Sequence, residues 1–244
     1  MNKFLGYIFT PLFYFFFFLT LIVFQPIQWV CYRVFGYKAH KVSVDCLNFF
    51  LTYCQVFLGS STTFVNEQSL PINQPIIFVA NHQSMYDIPA IIWFLRKHHV
   101  KFISKIELTK GIPSISFNLK YGGGANINRK DSKQAVSEII KLGRRMKENN
   151  WSAMIFAEGT RAKDGKMKPF QVGGIATLLK AVPNAIIVPI AIENSWKIVQ
   201  YGPFPLSFGQ KLKWTVLPPV NSTDKDPEQL TLAAETTIRN FLKQ

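Results

Sequence analysis

The feature that most restricts this chain is its beginning. Residues 4–32 carry no charged side chain, and Phe13 to Phe18 is an unbroken aromatic run. The stretch exceeds the roughly 20 residues that cross a hydrocarbon core, so it is expected to enter a membrane. It is too long for the apolar centre of a cleaved secretory leader, and no small-residue cleavage site follows it. Pro11 and Pro26 each lack a backbone donor, which predicts a break or kink at both places. A bent helix dipping into one leaflet and a simple span both fit. Arg33, Lys38 and Lys41 come next and favour the cytoplasmic side for the chain that follows. Residues 42–58 are again apolar, with Asp45, Asn48 and Gln55 interspersed. That pattern predicts a helix lying in the interface, packed back on the first.

The 244 residues suffice for one sizeable core and leave a second full domain cramped. Lys and Arg number 28 against 14 Asp and Glu, a net charge of +14. Residues 1–65 hold only Lys3, Arg33, Lys38, Lys41 and Asp45, a net of +3, so the remainder carries +11. A basic domain behind an apolar leader suits an anionic membrane surface or a phosphorylated substrate. A nucleic-acid partner is disfavoured, because no recognised binding module or aromatic stacking pattern is present. Cys31, Cys46 and Cys54 form no C-x-x-C pair, and their odd number gives no disulfide framework. Free, core or lipid-facing thiols in a reducing compartment are the expectation.

A boundary is expected near residue 60, dividing membrane helices (1–60) from an α/β domain (61–244), with the polar segment 67–75 as linker. Beyond it, strand-like runs at 76–80, 101–104, 125–128, 153–157, 186–192 and 211–217 alternate with helical patterns. The helical patterns cover 85–97, 113–120, 131–148, 172–181 and 227–242, and Asp226-Pro227 is a start signal for the last. This alternation predicts a single α/β domain whose central sheet is mostly parallel or mixed and flanked by helices.

The most informative stretch is Asn81-His82-Gln83-Ser84-Met85-Tyr86-Asp87, directly after the first of these strands. A five-residue separation does not stack two side chains on one helix face. It does fit a strand-to-helix turn in which Asp87 accepts from one ring nitrogen of His82 and leaves the other free to take a proton. The histidine would then deprotonate a substrate alcohol that attacks an acyl thioester. A plain helix cap, with His82 an incidental turn residue, explains the same seven residues. Ser84 makes a poor covalent nucleophile: it lies two residues from His82 on a tight turn and has no G-x-S-x-G elbow. His40, His98 and His99 have no comparable setting, and surface roles suffice for them.

Phe156-Ala157-Glu158-Gly159-Thr160-Arg161 follows another strand. Gly159 permits a sharp turn, and Glu158 and Arg161 are expected at the sheet's carboxyl edge. There Arg161 is suited to a two-pronged grip on phosphate and Glu158 to a glycerol hydroxyl. An internal Glu–Arg pair on a solvated loop is the competing reading. Gly122-Gly123-Gly124 precedes a short strand ending near Arg129, and allows backbone approach to a ligand without the spacing of a P-loop or dinucleotide fingerprint. Lys105 is a further candidate cation.

In order and spacing these stretches resemble the glycerolipid acyltransferase family, in particular its bacterial 1-acyl-glycerol-3-phosphate acyltransferases. Asn81, His82, Ser84 and Asp87 match its N-H-x-S-x-x-D block; Phe156, Glu158, Gly159, Thr160 and Arg161 match F-P-E-G-T-R. Arg129 matches the arginine that ends the second block, and Val188 to Ile192 a fourth, V-P-x-x-I-type strand. The resemblance implies His82 as general base oriented by Asp87. It implies Glu158, Gly159, Thr160, Arg161, Arg129 and Lys105 around the acceptor's phosphate and glycerol. It further implies a lysophospholipid acceptor, an acyl-CoA or acyl carrier protein thioester as donor, and acyl carrier protein as a partner. A hydrophobic acyl tunnel fed from the membrane helices, no metal or redox cofactor, and a place on the cytoplasmic face of a cell inner membrane complete the expectation. Ala157 replaces the block's proline, Asn128 an acidic residue, and Gln171 the lysine of a P-F-K-x-G stretch. These departures bear on the identity of the acceptor more than on the chemistry.

Overall fold

A computed structural model describes residues 1–220 and 226–244. One seven-stranded sheet forms its centre: β1 (Ser61–Asn66), β2 (Ile76–Ala80), β3 (Val100–Lys105), β4 (Ala125–Ile127), β5 (Ser152–Phe156), β6 (Ile186–Glu193) and β7 (Lys211–Val216). Their order is β1-β7-β6-β2-β5-β3-β4, and every pairing is parallel except β6 with β7. The expected single α/β domain with a mostly parallel sheet is what forms. β1 was not anticipated. Its alternating exposed and half-buried residues are typical of an edge strand, and too few are apolar to register as a core element.

β2 lies in mid-sheet, and all five of its residues are buried, as a parallel strand covered on both faces requires. Ile76, Phe78 and Ala80 enter one core layer, Ile77 and Val79 the other. The second layer is closed by α4 (Ser132–Asn149), α5 (Val172–Ala181) and α7 (Pro227–Leu242). Asp131 and Asp226 cap α4 and α7, each accepting from the backbone N–H three residues on.

The first layer is covered by α1 (Asn2–Tyr53), together with α2 (Asp87–Phe94) and α3 (Ile115–Tyr121). Helix α1 runs unbroken through Pro11 and Pro26, against expectation, and its only non-helical residue is Gly36, at φ 80° and ψ −171°. Each proline forfeits one backbone bond, but the residues around it are held by packing. Gly6, Thr10, Phe13, Phe17, Leu21, Phe24 and Gln28 form a buried stripe at helical spacing. Gly36 occupies a region of backbone space essentially reserved for glycine, and it is there that the chain folds back. The second arm returns beside the first: Phe16 stacks on Phe57 at 4.2 Å, and the Cys54 thiol lies 3.8 Å from the Phe13 carbonyl.

Candidate active site

His82, Glu158 to Arg161, Lys105 and Arg129 all sit at the carboxyl edge of the sheet, because each follows or ends a parallel strand. Asn81 fixes the end of β2. Its side chain accepts from the Ile192 N–H at 2.8 Å and donates to the Ile192 carbonyl at 2.9 Å, extending the pairing with β6. The chain then turns, and Asp87 opens α2.

The Asp87 carboxylate is fully buried and is a hub of hydrogen bonds. Its Oδ2 takes His82 Nδ1 at 2.8 Å and the N–H groups of Gln83 and Ser84 at 2.7 and 3.0 Å. Its Oδ1 takes the hydroxyls of Ser84 and Ser195. These donors satisfy a buried carboxylate that has no paired Lys or Arg among the described residues. It also fixes the imidazole with its proton on Nδ1, leaving Nε2 as the acceptor. The His82 ring lies flat on Phe156, 3.9 Å between centroids and 11° between planes, so its rotation is blocked from below as well. Ser84 spends its hydroxyl on Asp87 and on the Tyr86 N–H, and none of it on His82.

Glu158 faces inward. One carboxylate oxygen accepts the His82 N–H at 2.7 Å and the other the Lys168 N–H at 2.9 Å. Burial raises its pKa, and these two amides oppose that rise only in part. Instead of reaching for a glycerol hydroxyl, Glu158 ties the turn bearing His82 to the loop after β5. The Ala162 N–H bonding to the His82 carbonyl at 2.7 Å is a second tie. Gly159, at φ 70°, makes the bend, and Thr160 and Arg161 emerge exposed.

Lys168 was not anticipated. Its ammonium donates to Thr160 Oγ1 at 2.9 Å and to the Arg161 carbonyl at 3.2 Å, so a second cation stands where the Gln171 departure seemed to remove one. Strand spacing ranks the rest. At roughly 4.8 Å per strand, the β5 loop with Arg161 is one step from β2, Lys105 on β3 two steps, and Arg129 after β4 three steps or about 14 Å. Gly124 approaches its own sheet: a Cβ there would lie 2.8 Å from the Phe102 carbonyl. Ser195, on the short helix α6 (Ser195–Ile198), and Gln83 are the other residues that sequence missed. The Ser195 N–H donates to Gln83 Oε1 at 3.0 Å. They stand 112 positions apart in the chain, and no local pattern joins them.

Beside this edge opens an apolar cavity of about 190 Å³ between the sheet and α1, α2 and α3. Arg161 and Ser104 border it near the His82 turn, and Phe17, Leu47, Met85 and Ile92 are among its apolar walls. Among the described residues, no cluster of His, Cys, Asp or Glu could hold a metal ion.

Comparison with known proteins gives the same picture. A 1-acyl-sn-glycerol-3-phosphate acyltransferase of Chlamydomonas reinhardtii is 30% identical over 184 residues, 74% of this chain and 52% of its own length. The human 1-acyl-sn-glycerol-3-phosphate acyltransferase beta is 30% identical over 153 residues, 62% of this chain and 53% of its own. The chain thus spans about half the length of these curated relatives. The crystal structure of the 1-acyl-sn-glycerophosphate (LPA) acyltransferase PlsC from Thermotoga maritima superposes with a TM-score of 0.78 at 22% identity, over 100% of this chain and 98% of that one, which fixes the fold. The acyltransferase family profile matches residues 61–193, the stretch that contains the His82 turn, the Arg129 loop and the Glu158–Arg161 loop, and the chain belongs to that family.

Proposed function

We propose that the protein transfers a fatty acyl group from a thioester donor, acyl-CoA or acyl carrier protein, to the free hydroxyl of 1-acyl-glycerol-3-phosphate, giving phosphatidic acid. The observation that carries this reading is an imidazole locked by Asp87 with its Nε2 unbonded, on a turn whose Met85 borders the same apolar cavity as Arg161. His82 Nε2 takes the hydroxyl proton as the acceptor oxygen attacks the thioester carbonyl. The tetrahedral adduct collapses, the C–S bond breaks, and the imidazolium returns its proton to the leaving sulfur. General base catalysis of this kind is worth about 10²–10⁴-fold. Arg161 and Lys168 hold the acceptor's phosphate, with Thr160 between them and Lys105 and Arg129 further out along the edge. The donor's acyl chain lies in the cavity. Lys168 favours a phosphate-bearing acceptor over a zwitterionic or amino-acid lipid, since it restores the second charge beside Arg161.

The reaction takes place on a membrane, and in this reading on the cytoplasmic face of the inner membrane. Helix α1 is long and apolar enough to cross a bilayer. However, its buried stripe docks on the domain along its length, from Thr10 Oγ1 accepting the Leu206 N–H to the Leu21 carbonyl accepting from Ser114. Its opposite face exposes Phe4, Ile8, Phe15, Phe18, Ile22 and Trp29. A helix apolar outside and clad by protein inside suits immersion in one leaflet, which sets the cavity mouth at the lipid surface.

The test is thiol release by detergent-purified protein given lysophosphatidic acid and an acyl thioester. His82→Ala should lose at least about a hundred-fold in kcat while still unfolding cooperatively on heating. Wild-type turnover by this variant sinks the mechanism, and release without an acceptor would identify a thioesterase instead.

A further inference from the structure

The far end of the cavity is chemically different from its walls. It lies at the amino edge of the sheet, where Tyr37, His40, Lys41, Asp45, Arg96 and Lys101 border it. The register gives the depth. Lys101 pairs with Ala153 and Ala153 with Ile77, while His82 follows Ile77 by five residues, roughly 16 Å at 3.3 Å per residue.

Some of these polar groups are already satisfied. The Tyr37 hydroxyl bonds His99 Nε2 at 2.8 Å and the Gly122 carbonyl at 3.3 Å. The Lys41 ammonium bonds Asp45 Oδ2 and the Arg96 carbonyl, and Arg96 donates to the Trp93 carbonyl. Others have no partner among the described residues. His40 is 1% exposed, and neither ring nitrogen is hydrogen-bonded. Asp45 Oδ1 is buried and unbonded. The Lys101 ammonium faces only the rings of Tyr37 and Trp151, at 5.3 and 4.8 Å. A tube lined by hydrocarbon thus ends on an acceptor-rich imidazole, a free carboxylate oxygen and an unpaired lysine amine. A methyl terminus placed there would leave all three desolvated, each at a cost.

We infer that this end of the cavity is a subsite for a hydroxyl carried at the far end of the donor's acyl chain, so that the enzyme prefers ω-hydroxyacyl donors to plain ones of the same length. The inference rests on the reading that the cavity holds the donor chain. An alcohol fits because it both gives and takes: its proton goes to His40 or to Asp45 Oδ1, and its lone pairs accept from Lys101. Neither a second carboxylate, facing Asp45, nor an ammonium, facing Lys101, matches both neighbours.

The experiment compares ω-hydroxyacyl-CoA with its plain acyl-CoA counterpart over a series of chain lengths, using full-length protein in detergent and lysophosphatidic acid as acceptor. At the best-fitting length, kcat/KM for the hydroxylated donor should exceed that of the plain one by about five-fold or more, the effect of one buried polar group gaining its partner. His40→Leu should bring that ratio to one or below by improving the plain donor. Lys101→Met, which keeps the apolar stem, should do the same and decides the point if His40→Leu does not fold. A wild-type ratio of one or less at every length overturns the subsite and identifies a water-filled end, while transfer from plain donors leaves the reaction itself standing. Variants that keep the wild-type ratio also overturn it. No transfer from either donor at any length, whether carried on CoA or on acyl carrier protein, would overturn the reaction and the subsite together.

Discussion

At the level of single residues, the proposed site divides into groups that would meet substrate and groups that hold them. Among the described residues His82 Nε2 and the Arg161 guanidinium make no hydrogen bond, whereas Asp87, Glu158, Gln83 and Ser195 spend their polar atoms on protein. This division separates two mutations that the sequence motif alone would treat alike. Glu158→Gln sets an amide N–H against a backbone N–H and loosens the turn that bears His82. It should lower kcat by about ten- to a hundred-fold, as a small displacement of a reacting group does, and leave the acceptor KM unchanged. Arg161→Ala should raise the acceptor KM, most of all for acceptors bearing a phosphomonoester. Steady-state kinetics with acceptor varied at saturating donor distinguish the two, and a KM effect from Glu158→Gln would return it to the acceptor site. Ser195→Ala takes one of five donors from Asp87 and should cost about 1 kcal/mol of stability, together with a fall in kcat at constant KM.

At the level of elements, the leader hairpin depends on one residue. Gly36 adopts a backbone conformation that costs other residues about 1–3 kcal/mol, and nothing near it would obstruct a Cβ. Gly36→Ala therefore tests conformation and not space. It should destabilise the packing of the second arm, read as faster hydrogen exchange over 37–53 with little change in the sheet. Equal exchange in both proteins would mean that the turn is fixed by the helices it joins. Pro11 and Pro26 show the converse. Each has the chemistry of a helix breaker, yet the stripe docked on the domain keeps the axis continuous, because packing outweighs one missing backbone bond.

At the level of the whole molecule, charge and burial meet at Lys101. Burial first, and the Lys41 ammonium second, hold its pKa down to about 7 from the ordinary 10.5; Asp45 opposes this and Arg145 adds to it. Between these two values the unfolded chain binds a proton that the folded chain does not, so stability rises with pH across that window. Urea midpoints should therefore climb from pH 7 towards 10.5. Lys101→Met should flatten the climb and be the more stable protein below pH 7. A parallel rise in both proteins would place the effect on another group. Vesicle flotation tests the outer face of α1: a double Phe15→Ser, Phe18→Ser variant should bind bilayers more weakly while keeping its fold, since both rings are exposed.

Periodicity and short motifs were enough to read the α/β alternation, the cap at Asp226, the apolar hairpin and the His82–Asp87 turn. Each depends on residues within about one turn or strand of each other, where spacing dictates geometry. The edge strand β1, the Gly36 break, the cation at Lys168 and the inward direction of Glu158 were decided only by the tertiary structure. So were the hydroxyl that Ser195 brings to Asp87 and the unpaired polar floor of the cavity. They arise where parallel strands and a returning helix bring distant segments together, and a buried polar atom's partner is set by what packs against it. The sequence by itself determined which side chains reach the carboxyl edge, because each follows a strand, and the packing decided which of its charges turn inward to hold that edge and which are left exposed.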